Sequence, residues 1–374
     1  MTAKRSASAA PRFVRTAMLG LALCACSSPM LPDENVDGPS PEWSSPTQLF
    51  GDEIRLTVGD KLHAIGVTGG VTQHRSSADE GSTWSAPSPI TGAGELPIYG
   101  PVAAAGSNVY VVTRVGGALH VQRSVDEGRS WSPRITLQGY NADNDDRVQM
   151  AAEGASVHIF VGRAGATPDG TFKIYYWRSL DAAQSFGSVQ LLDESMSEPP
   201  SPGGIAVENG VVHVGYAAIT DVGTLGHRAR YLRSSDNGTT WSAPVNVSGP
   251  GSNPQIRPRP RALNGSVFVL WEEPLDHDRS RPYPNATRSE IRFNVSRDGG
   301  LSWQGPRDLT ALPDVYVNHP EFAIGPDAQV HAIYRMSIDQ ATVATADALG
   351  YRLSSDLAAT WESHEVAMDD PSQE

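Results

Sequence analysis

An octapeptide recurs six times along the chain, and its spacing constrains the fold more than any other feature of the sequence. The aspartates that mark the copies are separated by 47, 55, 55, 62 and 58 residues, a period that fits one four-stranded unit per repeat. The copies are SADEGSTW (77–84), SVDEGRSW (124–131), SLDAAQSF (179–186), SSDNGTTW (234–241), SRDGGLSW (296–303) and SSDLAATW (354–361), with aspartates Asp79, Asp126, Asp181, Asp236, Asp298 and Asp356.

Each position of the octapeptide suits a tight turn. The aspartate accepts hydrogen bonds from backbone N–H groups just ahead of it, the glycine permits a positive φ, and the serine or threonine hydroxyl satisfies another turn group. The closing tryptophan covers the turn with a large apolar surface. Two copies carry Ala183 and Ala358 in place of glycine, and left-handed geometry there would cost about 1–2 kcal/mol each.

The residues around every copy predict four short strands per repeat. The second repeat reads PVAAAG, NVYVVTRV, ALHVQRS, the octapeptide and then PRITL, which are apolar or alternating runs separated by turn residues. The 36 glycines and 28 prolines are typical of a chain with many turns. We therefore expect an all-β fold, a six-bladed β-propeller with four-stranded antiparallel blades over residues 43–368, followed by a tail at 369–374. The leftover run WSSP (43–46) would add an outer strand that helps to close the ring.

The octapeptide resembles the Asp box of the BNR-repeat sialidase superfamily, in which it lies between the third and fourth strands of each blade. Active members bind the substrate carboxylate with three arginines and use a Tyr–Glu nucleophile pair and an Asp acid/base. Their first arginine follows an aromatic residue and precedes Ile-Pro, whereas the matching place here reads Glu53-Ile54-Arg55-Leu56-Thr57. The segment 66–72, where the resemblance would place the acid, reads GVTGGVT and has no carboxylate. The resemblance thus implies the fold. The altered arginine motif and the lack of a carboxylate in 66–72 argue against sialidase chemistry of the family type.

Strand order predicts which end of the propeller binds a ligand. In a four-stranded meander, the connections between blades and those between strands 2 and 3 emerge at one end, and the other connections, including the boxes, emerge at the opposite end. The long, chemically varied loops all fall in the first group, so we expect function there. Arginines suit a carboxylate and aromatic rings suit a sugar face. The candidate binding residues are Arg147, Arg257, Arg259, Asp276, His277, Arg279, Arg281, Tyr283, Tyr316, His319 and Glu321.

A catalytic set is less sharply indicated than a binding face. Glu272 or Glu273 with a tyrosine such as Tyr283, Tyr316 or Tyr334 would make a Tyr–Glu pair, and two carboxylates from other loops would suit a glycosidase. The alternative for each residue is a solvated loop face with internal ion pairs. The catalytic candidates are Arg55, Arg257, Arg259, Glu272, Glu273 and Tyr316.

Metal and cofactor motifs are weak in this sequence. The run NADNDD (141–146) supplies oxygen ligands at alternate positions, as calcium loops do, but it lacks the glycine and the final glutamate of such loops, which favours a solvated acidic loop. The strand histidines stand singly without metal-ligand spacing. We expect no metal and no cofactor.

The first residues resemble an export signal. Lys4, Arg5, Arg12 and Arg15 precede an apolar run that ends in LCAC (23–26), which resembles a bacterial lipobox with Cys26 as the lipidated residue. We expect a signal peptide at 1–25, a Pro-rich tether at 26–42, and a lipid-anchored protein at the outer membrane or cell surface. The alternative is a plain secretory signal.

Cysteine content and charge narrow the function further. The only cysteines are Cys24 and Cys26, so the exported domain would be stable without disulfides. The net charge of −13 argues against nucleic acid as a partner. We expect a monomeric envelope propeller that binds a glycan or another small ligand, with an exo-acting glycoside hydrolase and a protein-interaction propeller as alternatives.

Overall fold

The computed structural model describes residues 54–79, 81–91, 101–141, 147–162, 172–196, 200–219, 227–249, 253–276, 288–312, 315–325, 329–337 and 348–369. These segments consist of strands and turns, and they contain no helix long and apolar enough to cross a membrane. The predicted outer strand at Trp43, the signal and tether including Cys26, and the acidic run 142–146 lie outside the described residues.

The strands of these segments form six antiparallel sheets of four strands, each made from four consecutive strands. This arrangement confirms the predicted six-bladed propeller. The last strand ends at Asp369, one residue beyond the expected boundary. The strands are β1 Ile54–Val58, β2 Leu62–Thr68, β3 Val71–Ser77 and β4 Ser88–Pro89 in blade 1; β5 Val102–Ala105, β6 Asn108–Val115, β7 Ala118–Ser124 and β8 Ile135–Thr136 in blade 2; β9 Arg147–Glu153, β10 Ser156–Gly162, β11 Phe172–Ser179 and β12 Gln190–Met196 in blade 3; β13 Ser201–Glu208, β14 Val211–Ala218, β15 Arg228–Ser234 and β16 Val245–Asn246 in blade 4; β17 Ile256–Leu263, β18 Ser266–Pro274, β19 Ser289–Ser296 and β20 Arg307–Asp308 in blade 5; β21 Tyr316–Ile324, β22 Val330–Ser337, β23 Ala348–Ser354 and β24 Glu365–Asp369 in blade 6.

The apolar core lies between neighbouring sheets. Tyr110 and Val112 of blade 2, for example, pack in one cluster with Ile159 and Trp177 of blade 3, and all four are fully buried. Burying one such side chain contributes about 1.5–3 kcal/mol. Each blade therefore depends on its neighbours for stability, as expected for a repeat whose units cannot bury both faces alone.

The octapeptides connect the third and fourth strands of their blades, and the fourth copy illustrates their bonding. Ser234 Oγ donates to Asp236 Oδ1 at 2.7 Å, and Gly238 N donates to Ser234 Oγ at 2.8 Å. Thr240 donates to both carboxylate oxygens, from its N at 2.8 Å and from its Oγ1 at 2.6 Å. The bonds from Thr240 and Ser234 hold the pKa of Asp236 well below its usual range. Equivalent bonds occur in the other five copies.

The octapeptide glycine also contacts the preceding blade. A Cβ at Gly238 would lie 1.9 Å from the Tyr176 hydroxyl, and one at Gly300 would lie 2.0 Å from the Tyr231 hydroxyl. Both glycines have a positive φ, 79° and 87°. Glycine is therefore required twice over at these positions, by backbone geometry and by the neighbouring tyrosine.

The two copies with alanine have a different neighbour. Ala183 packs in the same cluster as Val121, and Ala358 packs in the same cluster as Phe293. Both alanines keep the left-handed backbone, with φ of 58° and 62°. The backbone cost predicted from the sequence is present, and the alanine methyl groups are fully buried.

The octapeptides and the turns between strands 1 and 2 lie at one end of the propeller, which we call the box face. Asn237 N, for example, donates to Gly210 O at 3.0 Å, which joins the octapeptide of blade 4 to the first turn of that blade. Arginines that precede three of the octapeptides join blade 2 to blade 3, blade 3 to blade 4, and blade 4 to blade 5. These bonds run from Arg123 Nη1 to Ala182 O at 3.0 Å, from Arg178 Nη1 to Asn237 O at 2.7 Å, and from Arg233 Nη1 to Gly299 O at 2.9 Å.

Candidate functional site

The opposite end of the propeller, which we call the mouth face, carries an arginine-rich strand. β17 reads IRPRPRAL, and its arginines Arg257, Arg259 and Arg261 alternate with prolines. Alternate residues of a strand project to the same side. The prolines are compatible with this strand because β17 is the edge strand of its sheet.

Glycines in blade 4 allow β17 to approach closely. A Cβ at Gly203 would lie 1.9 Å from Pro258 O, and a Cβ at Gly215 would lie 2.3 Å from the same oxygen. Side chains at these two positions would push the arginine strand away. The position of the arginines thus depends on glycines in the adjacent blade.

Two of the β-bulges at the mouth face lie in β17 and β21. The strand register shifts between Ile256 and Arg259, and again between Asn318 and Glu321. Arg257 and His319 lie within these bulges with φ of 54° and 49°. A residue in the left-handed region costs of order 1–3 kcal/mol, and bulges redirect side chains beside functional sites.

Glu272 lies at the centre of this arrangement. Its side chain is fully buried near the C-terminal end of β18. Arg257 Nη1 donates to Glu272 Oε2 at 2.8 Å, Tyr316 OH donates to Oε1 at 3.4 Å, and the backbone N–H of His319 faces Oε2 at 3.4 Å. Arginine paired with carboxylate forms a charge-assisted bond, so Glu272 fixes both Arg257 and Tyr316.

A second ion pair joins the inner strands of blades 5 and 6. Glu321 pairs with Arg259, and Arg261 Nη2 lies 3.7 Å from Glu321 Oε2. Arg261 also lies over the Phe322 ring, 5.4 Å from its centroid. Burial lowers the pKa of Arg261, and burial together with Arg261, Arg257 and Arg55 lowers the pKa of Arg259 to about 9.

The pKa of His319 reflects the positive electrostatic potential at the mouth face. Partial burial of the ring and the charges of Arg257, Arg335, Arg259 and Arg147 lower the pKa of His319 to about 3. The imidazole is neutral at pH 7, and the residue as a whole is exposed to solvent. Four arginines from three different blades therefore act on one ring.

The tautomer of His319 follows from its neighbour. Its Nδ1 lies 2.9 Å from Asn318 Oδ1, an oxygen that only accepts hydrogen bonds. Nδ1 is thus assigned the proton, and Nε2 keeps its lone pair. A neutral imidazole with an unprotonated Nε2 can accept a proton from a ligand bound at the mouth.

The structure brings together some of the predicted residues and separates others. Arg147, Arg257, Arg259, Tyr316, His319 and Glu321 meet at the mouth with Glu272, and Arg55 lies near enough to influence Arg259. Glu273 faces away from this group, because Trp271 Nε1 donates to it at 3.2 Å and Arg292 Nη1 donates to it at 3.4 Å. Asp276 accepts the backbone N–H of Arg288 at 3.0 Å. His277, Arg279, Arg281 and Tyr283 lie outside the described residues.

The described mouth residues include neither a blade 1 carboxylate that could act as the acid nor a metal-binding group. The turn between β2 and β3 is formed by Gly69 and Gly70, both at positive φ, so blade 1 offers no carboxylate where the family resemblance would place the acid. In the described part of the chain, no three His, Cys, Asp or Glu side chains are grouped as a metal site. Tyr334, another predicted nucleophile candidate, bonds to His364 Nδ1 at 2.5 Å.

Sequence reasoning missed Arg261 and Arg335. Arg335 lies opposite Asn318 in β22, near the same end of blade 6. The alternation in RPRPR was the available signal for Arg261, because it places Arg259 and Arg261 on one side of the strand. The register shift between Ile256 and Arg259 interrupts the alternation at Arg257. No comparable signal marks Arg335, whose place depends on the register of β21 with β22.

Solved structures resemble this chain in fold. A PL25 ulvan lyase bound to a GlcA(1-4)Rha3S saccharide has 12% sequence identity and a TM-score of 0.52, with 77% of this chain and 76% of that chain covered. A protein of unknown function from Dyadobacter fermentans has 14% identity and a TM-score of 0.49, over 73% and 83% of the two chains. Trypanosoma rangeli sialidase in complex with 2,3-difluorosialic acid has 14% identity and a TM-score of 0.47, over 77% and 52%. No protein-family model and no curated protein matches the sequence.

Proposed function

We propose that the mouth face binds a saccharide that carries a carboxylate. The observation that carries this proposal is the convergence of Arg147, Arg257, Arg259 and Arg335 around His319, with Arg55 close enough to act on Arg259. The chain as a whole has a net charge of −13, so this positive potential is local. Guanidinium groups match the planar geometry of a carboxylate, and each has five donors in a fixed fork.

The chemistry of the mouth favours a saccharide over a protein partner. Large exposed apolar side chains of the described residues include Val125, Leu180 and Leu301, and these three lie in octapeptides on the box face. The described mouth residues are mainly charged or polar. Acidic sugars, which need charge-assisted bonds and few apolar contacts, fit such a surface better than an apolar protein patch does.

Calorimetric titration of the purified protein tests this binding. The ligands are oligogalacturonate, a glucuronate oligosaccharide and sialyllactose, each beside a neutral saccharide of similar size. We expect acidic ligands to bind, and Arg335→Ala to weaken their binding by about tenfold or more, which corresponds to about 1.4 kcal/mol. Arg129→Ala is the matched control, because this arginine is exposed on the box face. Equal weakening by both variants, or equal binding of neutral ligands, would overturn the proposal.

The Tyr316–Glu272 contact favours a second candidate, an exo-acting glycosidase of the sialidase type. A buried glutamate that accepts a tyrosine hydrogen bond beside several arginines is what a tyrosine nucleophile requires. An aryl sialoside tests it without a general acid, because a phenolate leaves unaided. Turnover that is lost in both Glu272→Gln and Tyr316→Phe would support hydrolysis, and absence of turnover in wild type would contradict this second candidate.

We also propose that the protein is a lipoprotein of the cell envelope. The basic residues, apolar run and LCAC sequence at its N-terminus support this placement. A mouth that faces away from the membrane would then meet glycans outside the cell. The test is membrane fractionation of Cys26→Ala: release of the protein into the soluble fraction supports lipidation, and unchanged membrane attachment contradicts it.

A further inference from the structure

His319 is a basic group at the mouth for which neither carboxylate recognition nor the Tyr316–Glu272 pair has a use. It combines solvent exposure, a left-handed backbone at a bulge, and a bond from Nδ1 to Asn318 that leaves the Nε2 lone pair available. Strained residues at ligand sites often have a direct role in the chemistry. The geometry makes His319 a candidate base among the arginines of the mouth.

We propose that the mouth catalyses β-elimination on a 1,4-linked hexuronate, with His319 as the base; this rests on the proposed carboxylate recognition. In a hexuronate, the carbon that bears the carboxylate also carries a hydrogen, whereas in a sialoside it carries none. A base beside a carboxylate-binding arginine cluster therefore has a proton to remove from a uronate.

The reaction balances with groups on the protein alone. His319 Nε2 takes the proton from C5, and the electrons of the C–H bond form the C4–C5 double bond as the C4–O4 bond breaks. The imidazolium then returns its proton to the departing O4. The products are an unsaturated uronate and a saccharide with a free hydroxyl, and neither water nor an oxidant is consumed.

The arginines serve this reaction in two ways. Removing the C5 proton places additional negative charge on the carboxylate oxygens, and preorganised guanidinium groups stabilise that charge in the transition state. Burial of the ring, and then the same arginines, lower the pKa of His319 in the absence of ligand. A bound carboxylate offsets their field, so the base becomes stronger when an acidic sugar occupies the mouth. The charged and titratable groups around the ring are Arg257 and Arg259 of β17, Arg147 of β9, Arg335 of β22, Glu272 of β18, and Tyr316 and Glu321 of β21.

The described residues favour elimination over hydrolysis. Hydrolysis requires a general acid, and the tight Gly69–Gly70 turn of blade 1 supplies none. Elimination requires a base and carboxylate neutralisation, and His319 with its arginines supplies both. One group that first takes and then returns a proton removes the need for a separate acid.

The test uses the purified full-length protein with oligogalacturonate, oligomannuronate and glucuronate oligosaccharides that bind in calorimetry. Products are followed by ultraviolet absorbance of the conjugated double bond and by mass, because hydrolysis adds one water to the product pair and elimination adds none. We expect unsaturated products from wild type and an His319→Ala variant with kcat lowered about 100-fold or more, the range for a lost acid–base group. KM should change by less than about threefold if only chemistry is affected.

Three controls separate a catalytic His319 from a structural one. Added imidazole should restore turnover to His319→Ala, Arg129→Ala should match wild type, and the thermal transition of His319→Ala should stay near that of wild type. Uronate binding without unsaturated product would overturn the elimination proposal and leave the recognition proposal standing. Unsaturated product from His319→Ala at the wild-type rate would also overturn it. Absence of uronate binding would overturn both proposals.

Discussion

The two faces of this propeller differ in regularity: the sequence and contacts of one face repeat, and those of the other do not. On the box face, one pattern is repeated six times, and its bonds run within each octapeptide and from blade to blade. On the mouth face, no pattern repeats, and the side chains that meet there come from blades 1, 3, 5 and 6. A regular ring that fixes the blades leaves the opposite end free to vary. The repeated motif is therefore informative about the fold, and the irregular residues are informative about the ligand.

Histidines on the two faces differ in burial and in what lowers their pKa values. His63, His158 and His213 lie in second strands near the box face and are buried, and burial is the main reason that the pKa of each is lowered to about 4. His158 and His213 bond through Nδ1 to Tyr176 and Tyr231 at 2.6 and 2.7 Å. At the mouth, His319 is exposed and owes part of its low pKa to arginines.

The largest predicted effect is loss of stability in mild acid. Because the folded pKa of these buried histidines lies below the unfolded value of 6.5, their contribution is complete above pH 6.5 and falls as the pH drops toward 4. Each histidine should lower the free energy of unfolding by about 2 kcal/mol between pH 7 and pH 5. Urea denaturation at several pH values measures this. His213→Gln should flatten the curve, and a curve that stays unchanged would show that His213 is not neutral for the reason given.

The next effect distinguishes octapeptides that have different neighbours. Gly238→Ala places a methyl group 1.9 Å from the Tyr176 hydroxyl and adds left-handed strain, so we expect a loss of about 2–5 kcal/mol from overpacking and backbone together. The reverse change, Ala183→Gly, relieves strain and removes a buried methyl group, and should change stability by less than about 1 kcal/mol. Chemical denaturation measures both. Similar losses in the two variants would contradict the neighbour explanation, and neither variant should alter ligand affinity.

The smallest effect separates the causes of the low histidine pKa values. Raising the ionic strength from about 0.05 to about 0.5 M screens charges that are exposed to solvent and has little effect on burial. The pKa of His319 should therefore rise by up to about one unit, while that of His213 stays nearly constant. NMR titration of the imidazole resonances measures both groups. Equal movement of the two would remove the distinction between the faces.

The fold was readable from the sequence because its information is periodic. Six octapeptides at blade spacing predicted the sheet order, and the loop lengths predicted which end carries the variable side chains. The site was only partly readable. Glu272 and Glu273 are equivalent in the sequence, but strand alternation sends them to opposite sides, and only the structure shows which one meets Tyr316.

Other features depend on contacts between blades, which no local pattern encodes. Arg335 reaches the mouth because of the register of its blade, and the bulges at Arg257 and His319 have no sequence signature. The alanines of the third and sixth octapeptides are buried in clusters that include Val121 and Phe293 of the preceding blades, which are far away in the sequence.

The most direct test of the account is a matched pair of ligands. Oligogalacturonate and the same oligosaccharide with its carboxyl groups reduced to alcohols differ only in the charge that the mouth arginines are proposed to bind. Titration calorimetry of the purified protein should give an affinity for the acidic form that is higher by about 100-fold, or about 2.7 kcal/mol, and that weakens as salt is raised. Equal affinities for the two forms, without salt dependence, would contradict the proposal that the arginine cluster recognises a carboxylate.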